Sequence, residues 1–371
     1  VIALSTSSTG ISLSGGTRLT APQCGIASNA AISVIGGSSI SAKATTSSTS
    51  VSVDGGSSIT ADPVIYGSSV SITGGSSITG TQTHKSNSTA DPLANSTALA
   101  AAQSLLGTYT APTMPTVPTG ADMSPGYYPT TMTFQGYTGT LSGSTWTFPA
   151  GTYNFHNLNT GSLTVKIQGP STVTVSNQLT IGGGGKLIVG DGPVSINAPV
   201  NLSGGTSMVL GAGRQYLGAV TVGGGSSVTL GAGDLDVNGA LNISGGGSSM
   251  TVGAGNYAIG HDTSSPARAI YLGGSSVLTF GNGTFSANGA IATDGNSTIT
   301  FGQTANHLIN GNLNLMGNVN FGAGTYTING NFNNGTGGTL AGSDVTFIMA
   351  GTLTLSGGAT SNLSAPSGSS A

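Results

Sequence analysis

Apolar and polar residues alternate along this chain in short runs, and the runs return at a fixed interval. Corners at Gly190, Gly211, Gly231, Gly253, Gly281, Gly302 and Gly322 serve as alignment points. One apolar column then reads Leu187, Met208, Val228, Met250, Leu278, Ile299 and Val319, and a second reads Val189, Leu210, Leu230, Val252, Phe280, Phe301 and Phe321. Between them stand Ile188, Val209, Thr229, Thr251, Thr279, Thr300 and Asn320, mostly polar. Alternation with a period of two places the first two columns on one face of a strand and the third on the other. The pattern predicts strands with an inside and an outside.

Two further strands belong to each repeat. One follows the corner, at Tyr153/Phe155, Leu235/Val237, Tyr257/Ile259, Phe285/Ala287 and Tyr326/Ile328. Another precedes a glycine run, at Leu179/Ile181, Val200/Leu202, Val220/Val222, Leu241/Ile243, Ile270/Leu272, Leu313/Leu315 and Leu353/Leu355. Glycine suits the corners because it reaches positive φ and lets backbones turn tightly. The chain is therefore expected to be all-β, a three-sided parallel β-solenoid with about 21 residues per rung, each rung about 4.8 Å above the last. A propeller blade needs about 40 residues, twice the observed period.

Residues 1–80 carry the same logic in a shorter block. Double glycines at Gly15-Gly16, Gly36-Gly37, Gly55-Gly56 and Gly74-Gly75 each follow an alternating strand such as Ile32-Ser-Val34. Residues 81–130 break the pattern. Asp91-Pro92 opens a segment through Leu106 that reads as a helix, with Asp91 as cap and proline at the first helical position; Gly107 ends it. Its leucines are suited to covering a solenoid edge. A proline-rich connector follows, and the main solenoid is assigned to residues 131–371.

Composition narrows the function. Only 5% of residues are charged, glutamate is absent, and ten aspartates against four lysines and three arginines give a formal charge of −3. Nucleic acid, which needs clustered cations, is an unsuitable partner. Mean hydropathy is +0.17, and the ordered apolar columns argue against disorder. No run of about 18 apolar residues exists, so no membrane span is predicted. The chain opens on Val1-Ile2-Ala3-Leu4 with neither Met nor a basic leader, as expected of a mature or trimmed chain. Cys24 is the single cysteine, which leaves no intrachain disulfide.

Candidate chemistry is thin, and no catalytic, cofactor-binding or metal site is assigned. His84, His156, His261 and His307 show no ligand spacing. The runs Gly182–Gly185 and Gly223–Gly225 precede strands rather than helices, which makes them corners and not phosphate loops. Asn-x-Ser/Thr sequences at Asn87, Asn242 and Asn296 follow from composition. The Thr229, Thr251, Thr279, Thr300 column is explained by β-propensity. The interval from Gly253 to Gly281 is 28 residues, and its extra length falls on His261 to Arg268, read as a solvated insertion. Asp234 and Asp236 flank inward Leu235, with Cα atoms on the order of 7 Å apart, near the carboxylate separation of inverting glycosidases. Arg214 stands one rung earlier at the position equivalent to Asp234. A guanidinium there favours ionised carboxylates, so an exposed ion pair is expected instead of a catalytic acid.

Several segments carry a likeness along most of the chain. Val1-Ile-Ala-Leu, Ser-Thr-Gly-Ile-Ser-Leu-Ser-Gly and Ala21-Pro-Gln-Cys24-Gly are followed in order by Asp91-Pro92-Leu93-Ala94, Gly151-Thr-Tyr153, Gly324-Thr-Tyr326-Thr-Ile-Asn-Gly330, Val345-Thr-Phe-Ile-Met-Ala-Gly351 and Leu363-Ser-Ala-Pro366. Together they resemble the tight-adherence (Flp) pilus-assembly proteins of the TadG-like group. The resemblance implies a secreted or bacterial cell-surface protein and a cysteine just before Val1 that pairs with Cys24. It departs from the family where Gly-Gly-Ser-Ser replaces the Ser-Gly-Asn-Ala repeat, and where Asn154 stands at a frequent cysteine position. The expected function is a non-enzymatic surface scaffold, with self-association or envelope components as partners. A polysaccharide-active β-helix enzyme would need clustered acids. A carbohydrate-binding adhesin would need exposed aromatic platforms, and Trp146 is the only tryptophan.

Overall fold

The computed structural model describes the chain except positions 4, 5, 7, 8, 86–94, 96, 98, 99, 102, 103, 105–111, 336 and 367–371. The protein is all-β, a solenoid of stacked parallel strands with about 16 turns of about 21 residues. It divides into two compact units, one of Thr110–Gly289 with Gly295–Gln303, the other of Val1–Tyr109, Ala290–Asp294 and Thr304–Ala371.

In the unit built on Thr110–Gly289, one rung shows the plan. Ser227–Leu230 forms its first face, Leu235–Val237 the second and Leu241–Ile243 the third. Each strand pairs in parallel with its equivalents in the rungs on either side: Met208↔Val228↔Met250, Leu217↔Val237↔Ile259 and Val222↔Ile243↔Leu272. Val228 and Leu230 are 1% and 2% exposed, whereas Thr229 and Thr251 face solvent. The register expected from alternation is the register observed. Leu179 departs from expectation: it lies in the second-face strand Thr172–Thr180 and pairs with Leu158, because that strand runs on past the usual corner.

The first parallel rung of this unit is preceded by an antiparallel hairpin, Thr131–Phe134 and Tyr137–Ser142, which pairs with Thr145–Phe148. Gln135 (φ 51°) and Gly136 (φ 85°) make its two-residue turn, the left-handed geometry that matches strand twist. The repeat pattern did not announce the hairpin. It covers the edge of Thr145–Phe148, which a parallel stack would leave open to other chains.

Two internal devices hold the corners. At the head of the second face, Tyr153, Gln215 and Tyr257 are buried. Each donates to the carbonyl four residues earlier: Tyr153 Oη to Pro149 O at 2.7 Å, Gln215 Nε2 to Gly211 O at 2.9 Å and Tyr257 Oη to Gly253 O at 2.6 Å. A corner carbonyl turned toward the core is thereby satisfied, as buried backbone groups require. The second device is a ladder of buried hydroxyls after the double glycines. Thr206 N donates to Ser226 Oγ at 3.1 Å and Gly225 N to Ser248 Oγ at 3.2 Å, so the first serine of each Gly-Gly-Ser-Ser points inward.

Burial pushes the Tyr257 phenol up to about 12, and burial, followed by the nearby Tyr137, does the same for Tyr153. A phenol whose folded pKa is raised contributes stability that is complete below its unfolded pKa and is lost as pH rises toward the folded value. Thermal unfolding at about pH 9 and about pH 11 should show a lower Tm at the higher pH, with a smaller drop in Tyr257→Phe. An equal drop in both proteins would remove Tyr257 from the account.

In the other unit, the N-terminal rungs do not begin a stack of their own. On the third face, Leu353–Leu355 pairs on one side with Phe332–Asn334 and on the other with the N-terminal strand, Ile11↔Leu353, Ser12↔Thr354 and Leu13↔Leu355. That strand continues into Ile32–Val34, Val51–Val53 and Val70–Ile72. The first face follows suit, with Arg18↔Thr360 and Leu19↔Ser361. Sequence blocks at opposite ends of the chain are thus neighbours in one stack. Tyr326 repeats the corner device, donating to Gly322 O at 3.1 Å, and Thr17, Ser38, Ser57 and Ser76 repeat the hydroxyl ladder.

The helix expected from Asp91 to Leu106, its cap included, lies largely outside the described residues. Thr97, Ala100, Ala101 and Ser104 within it are helical and exposed.

Candidate functional site

The best acidic pair lies on the second face of the Thr110–Gly289 unit. Tyr216 and Asp236 are register partners at outward positions, and Arg214 and Asp234 are at the corners just before them. Arg214 lies over the Tyr216 ring, its guanidinium carbon 4.9 Å from the ring centre. From there Nη2 reaches Asp236 Oδ2 at 2.8 Å, while Nη1 stands 3.9 Å from Asp234 Oδ2. The shorter contact therefore goes to Asp236, not to the register equivalent Asp234. Stacking on Tyr216 carries the long side chain one residue pair further along the strand. Asp234 instead accepts from Asn256 N at 3.1 Å and Asn256 Nδ2 at 2.9 Å. The hydrogen bond to Asp236 holds the Arg214 guanidinium above its ordinary pKa. Half the Arg214 side chain is exposed, so the contact belongs with surface pairs worth about 0–1 kcal/mol.

Other aspartates are used the same way. Asp54 Oδ1 accepts from Thr73 Oγ1 at 2.7 Å, Asp62 Oδ1 from Thr81 N at 3.0 Å, Asp122 Oδ1 from Asn157 Nδ2 at 2.8 Å and Asp191 Oδ1 from Ala212 N at 2.8 Å. Each of these partners lies on a different rung. The carboxylates act as struts between rungs, with a backbone amide or a neutral side chain as the usual donor.

The insertion between Tyr257–Ile259 and Arg268–Leu272 is organised by Asp262. Its Oδ1 accepts from Ser264 N at 3.1 Å and Arg268 N at 2.9 Å, and Oδ2 pairs with Arg268 Nε at 3.3 Å. Burial alone would raise the Asp262 carboxyl. The Ser264 and Arg268 hydrogen bonds and the Arg268 charge outweigh burial and hold it below the ordinary carboxylate range. Arg268 also covers the Tyr271 ring at 5.1 Å. The loop is thus folded onto itself: Asp262 and Arg268 pair with each other, and His261 Nδ1 contacts the Asp262 backbone carbonyl.

The histidines stay apart. His84 contacts Gly67 O at 3.2 Å, His156 contacts Ser176 Oγ at 3.2 Å, and His307 is buried with its ring 3.8 Å from that of Tyr326. Among the described residues, no three His, Cys, Asp or Glu side chains group as metal ligands. Trp146 is 1% exposed and donates from Nε1 to Gly126 O at 2.8 Å, so it belongs to the core and offers no stacking platform. A shallow depression lined by Gly151, Thr152, Pro170, Ser171, Thr172 and Pro193 carries no ionisable side chain. Gly182–Gly185 leads into the strand Lys186–Val189, as a corner does. Among the described residues, no helix is long and apolar enough to cross a membrane.

The corner-bonding tyrosines and Gln215 are structural side chains that alternation alone does not single out. Their signal is a small-residue pair followed by an aromatic or amide, in Pro149-Ala-Gly-Thr-Tyr153, Gly211-Ala-Gly-Arg-Gln215, Gly253-Ala-Gly-Asn-Tyr257 and Gly322-Ala-Gly-Thr-Tyr326. The chain matches no known protein-family profile, no curated protein and no solved structure.

Proposed function

We propose that the protein is a non-enzymatic structural scaffold of the cell exterior, a component of a bacterial surface appendage, matrix or pilus-associated assembly. The observation that carries this reading is the use of the carboxylates. A hydrolytic site needs an acid with a raised pKa and a second carboxylate free to act on water or substrate. Here Asp234 and Asp236 accept hydrogen bonds from Asn256 and Arg214, which tie them into the stack. The uncharged ladders on the outer faces, such as Asn329 Nδ2 to Asn310 Oδ1 and Asn333 Nδ2 to Asn314 Oδ1, both within 2.9 Å, suit a durable stack of rungs. The likeness to TadG-like pilus-assembly proteins supports the surface location.

Replacing both aspartates, Asp234→Asn with Asp236→Asn, should lower stability by no more than about 1 kcal/mol and leave the native assembly unchanged under the electron microscope. Loss of a glycan-cleaving activity in that variant would establish the polysaccharide-active alternative. The same reading extends to Cys24, whose thiol is free and partly accessible in this chain. The resemblance to TadG-like proteins implies a disulfide between Cys24 and a cysteine just before Val1. Mass spectrometry of unreduced native material should find Cys24 in a disulfide, and a free thiol there would discard the pairing.

A further inference from the structure

The seam between the C-terminal rungs and the N-terminal rungs is set apart by chain order: the two rungs that meet there are not consecutive in the chain. Leu353–Leu355 and Thr360–Leu363 meet Thr9–Leu13 and Arg18–Ser28. The seam is also uneven from face to face. On the first face it has two registered pairs, Arg18↔Thr360 and Leu19↔Ser361, where Thr339–Gly342 and Thr360–Leu363 share four. Among the described residues, the second face has no strand pairing across it: the strand Val345–Met349 ends its sheet.

Two side chains mark the same place. The core column that runs through Leu340 and Leu19 is interrupted between them by Ser361, whose hydroxyl is buried with no hydrogen-bond partner among the described residues. The hydroxyl ladder of the N-terminal rungs begins at the seam. Thr17, Ser38 and Ser57 each donate a backbone amide to the hydroxyl of the next rung. On the C-terminal side the equivalent positions Gly338 and Ala359 have no hydroxyl, and each turns its amide to a carbonyl in its own rung, Gly335 O and Ser356 O. On the third face the seam is nevertheless a parallel pairing of matching register, Ile11↔Leu353, Ser12↔Thr354 and Leu13↔Leu355.

From this we propose that the seam is a docking surface for a second copy of the chain: the N-terminal rungs of one molecule, residues 9–84, dock on the Leu353–Leu363 rung of another. The strand pairing formed between copies is the same pairing released within one copy, so exchange needs no new complementarity. Within one copy the two edges belong to one chain, and a second copy competes against the effective concentration that this linkage sets. Reciprocal exchange gives a closed dimer, and one-way exchange gives a head-to-tail chain. The exchange follows from the strand order and register at the seam and is independent of the proposed function. A seam that never exchanges leaves the scaffold reading intact, and a catalytic activity would not bear on the exchange.

Ser12 and Thr354 are outward-facing register partners across the seam, at a spacing within reach of a disulfide. In a Cys24→Ser background, Ser12→Cys with Thr354→Cys in one chain should oxidise to an intramolecular 12–354 link, which shows that the variants fold and the seam forms. Ser12→Cys chains mixed with isotope-labelled Thr354→Cys chains, held together and then oxidised, should yield a 12–354 link between labelled and unlabelled chains. Its ratio to monomer should rise about tenfold for a tenfold rise in concentration. Arg18→Cys and Thr360→Cys repeat the experiment on the first face. A 12–354 link that forms only within one chain at every concentration, with the 18–360 pair behaving alike, overturns the exchange. Failure of the intramolecular link at both pairs overturns the seam itself.

Discussion

Val228→Asp is expected to lose ~3–5 kcal/mol or more of stability, because it places an unpaired charge in a column with no partner for it. Val228 lies between Met208 and Met250 in register and is 1% exposed, so no relaxation of the side chain reaches water. Thr229→Asp, one residue on and facing solvent, should change stability by no more than about 0.5 kcal/mol. Urea unfolding followed by far-ultraviolet circular dichroism distinguishes the two. Equal losses at positions 228 and 229 would contradict the alternation on which the fold rests.

The second large effect falls on a corner. Gly233 has φ 146°, and a Cβ there would overlap the carbonyl oxygen of Gly213 in the preceding rung. That backbone is fixed, because Gly213 N donates to Ala232 O at 2.8 Å and Gly233 N to Ala254 O at 2.8 Å. Gly233→Ala must therefore break rung-to-rung hydrogen bonding as well as strain φ, and should cost on the order of 3 kcal/mol. Gly205 provides the comparison. Its φ is 74° and a Cβ would meet nothing within 4 Å, so Gly205→Ala bears only the left-handed penalty of about 1–2 kcal/mol. Thermal unfolding that ranks Gly205→Ala as the more harmful would show that the rungs do not pack backbone to backbone at the Gly233 corner.

These positions also show what is legible in the sequence. The Val228 and Leu230 columns are readable because period-two alternation and a 21-residue interval act together: one fixes the face, the other fixes the neighbour. The Gly253–Gly281 interval points correctly to an insertion between faces. The expected partner of Arg214 falls one residue pair short of the observed one, since register locates Cα atoms while a guanidinium laid over Tyr216 reaches further. The hairpin at Thr131–Ser142 escapes because antiparallel strands show the same alternation as parallel ones. The junction of Ile11–Leu13 with Leu353–Leu355 is not legible at all. Every rung presents the same apolar pair and the same edge, so nothing local tells a strand which equivalent edge it meets. Of candidate chemistry, the sequence points to the Asp234, Asp236 and Arg214 cluster, and the structure brings those three side chains together at one corner.

The most direct measurement of the central claim is a cysteine-accessibility scan over one rung and the next. In a Cys24→Ser background, single cysteines are placed at 227, 228, 229 and 230 and again at 249, 250, 251 and 252, and each folded protein is treated with a maleimide. A parallel solenoid with this register predicts rapid labelling at 227, 229, 249 and 251 and protection at 228, 230, 250 and 252. Labelling at 228 with protection at 229, or a pattern that changes phase between the two rungs, would contradict it.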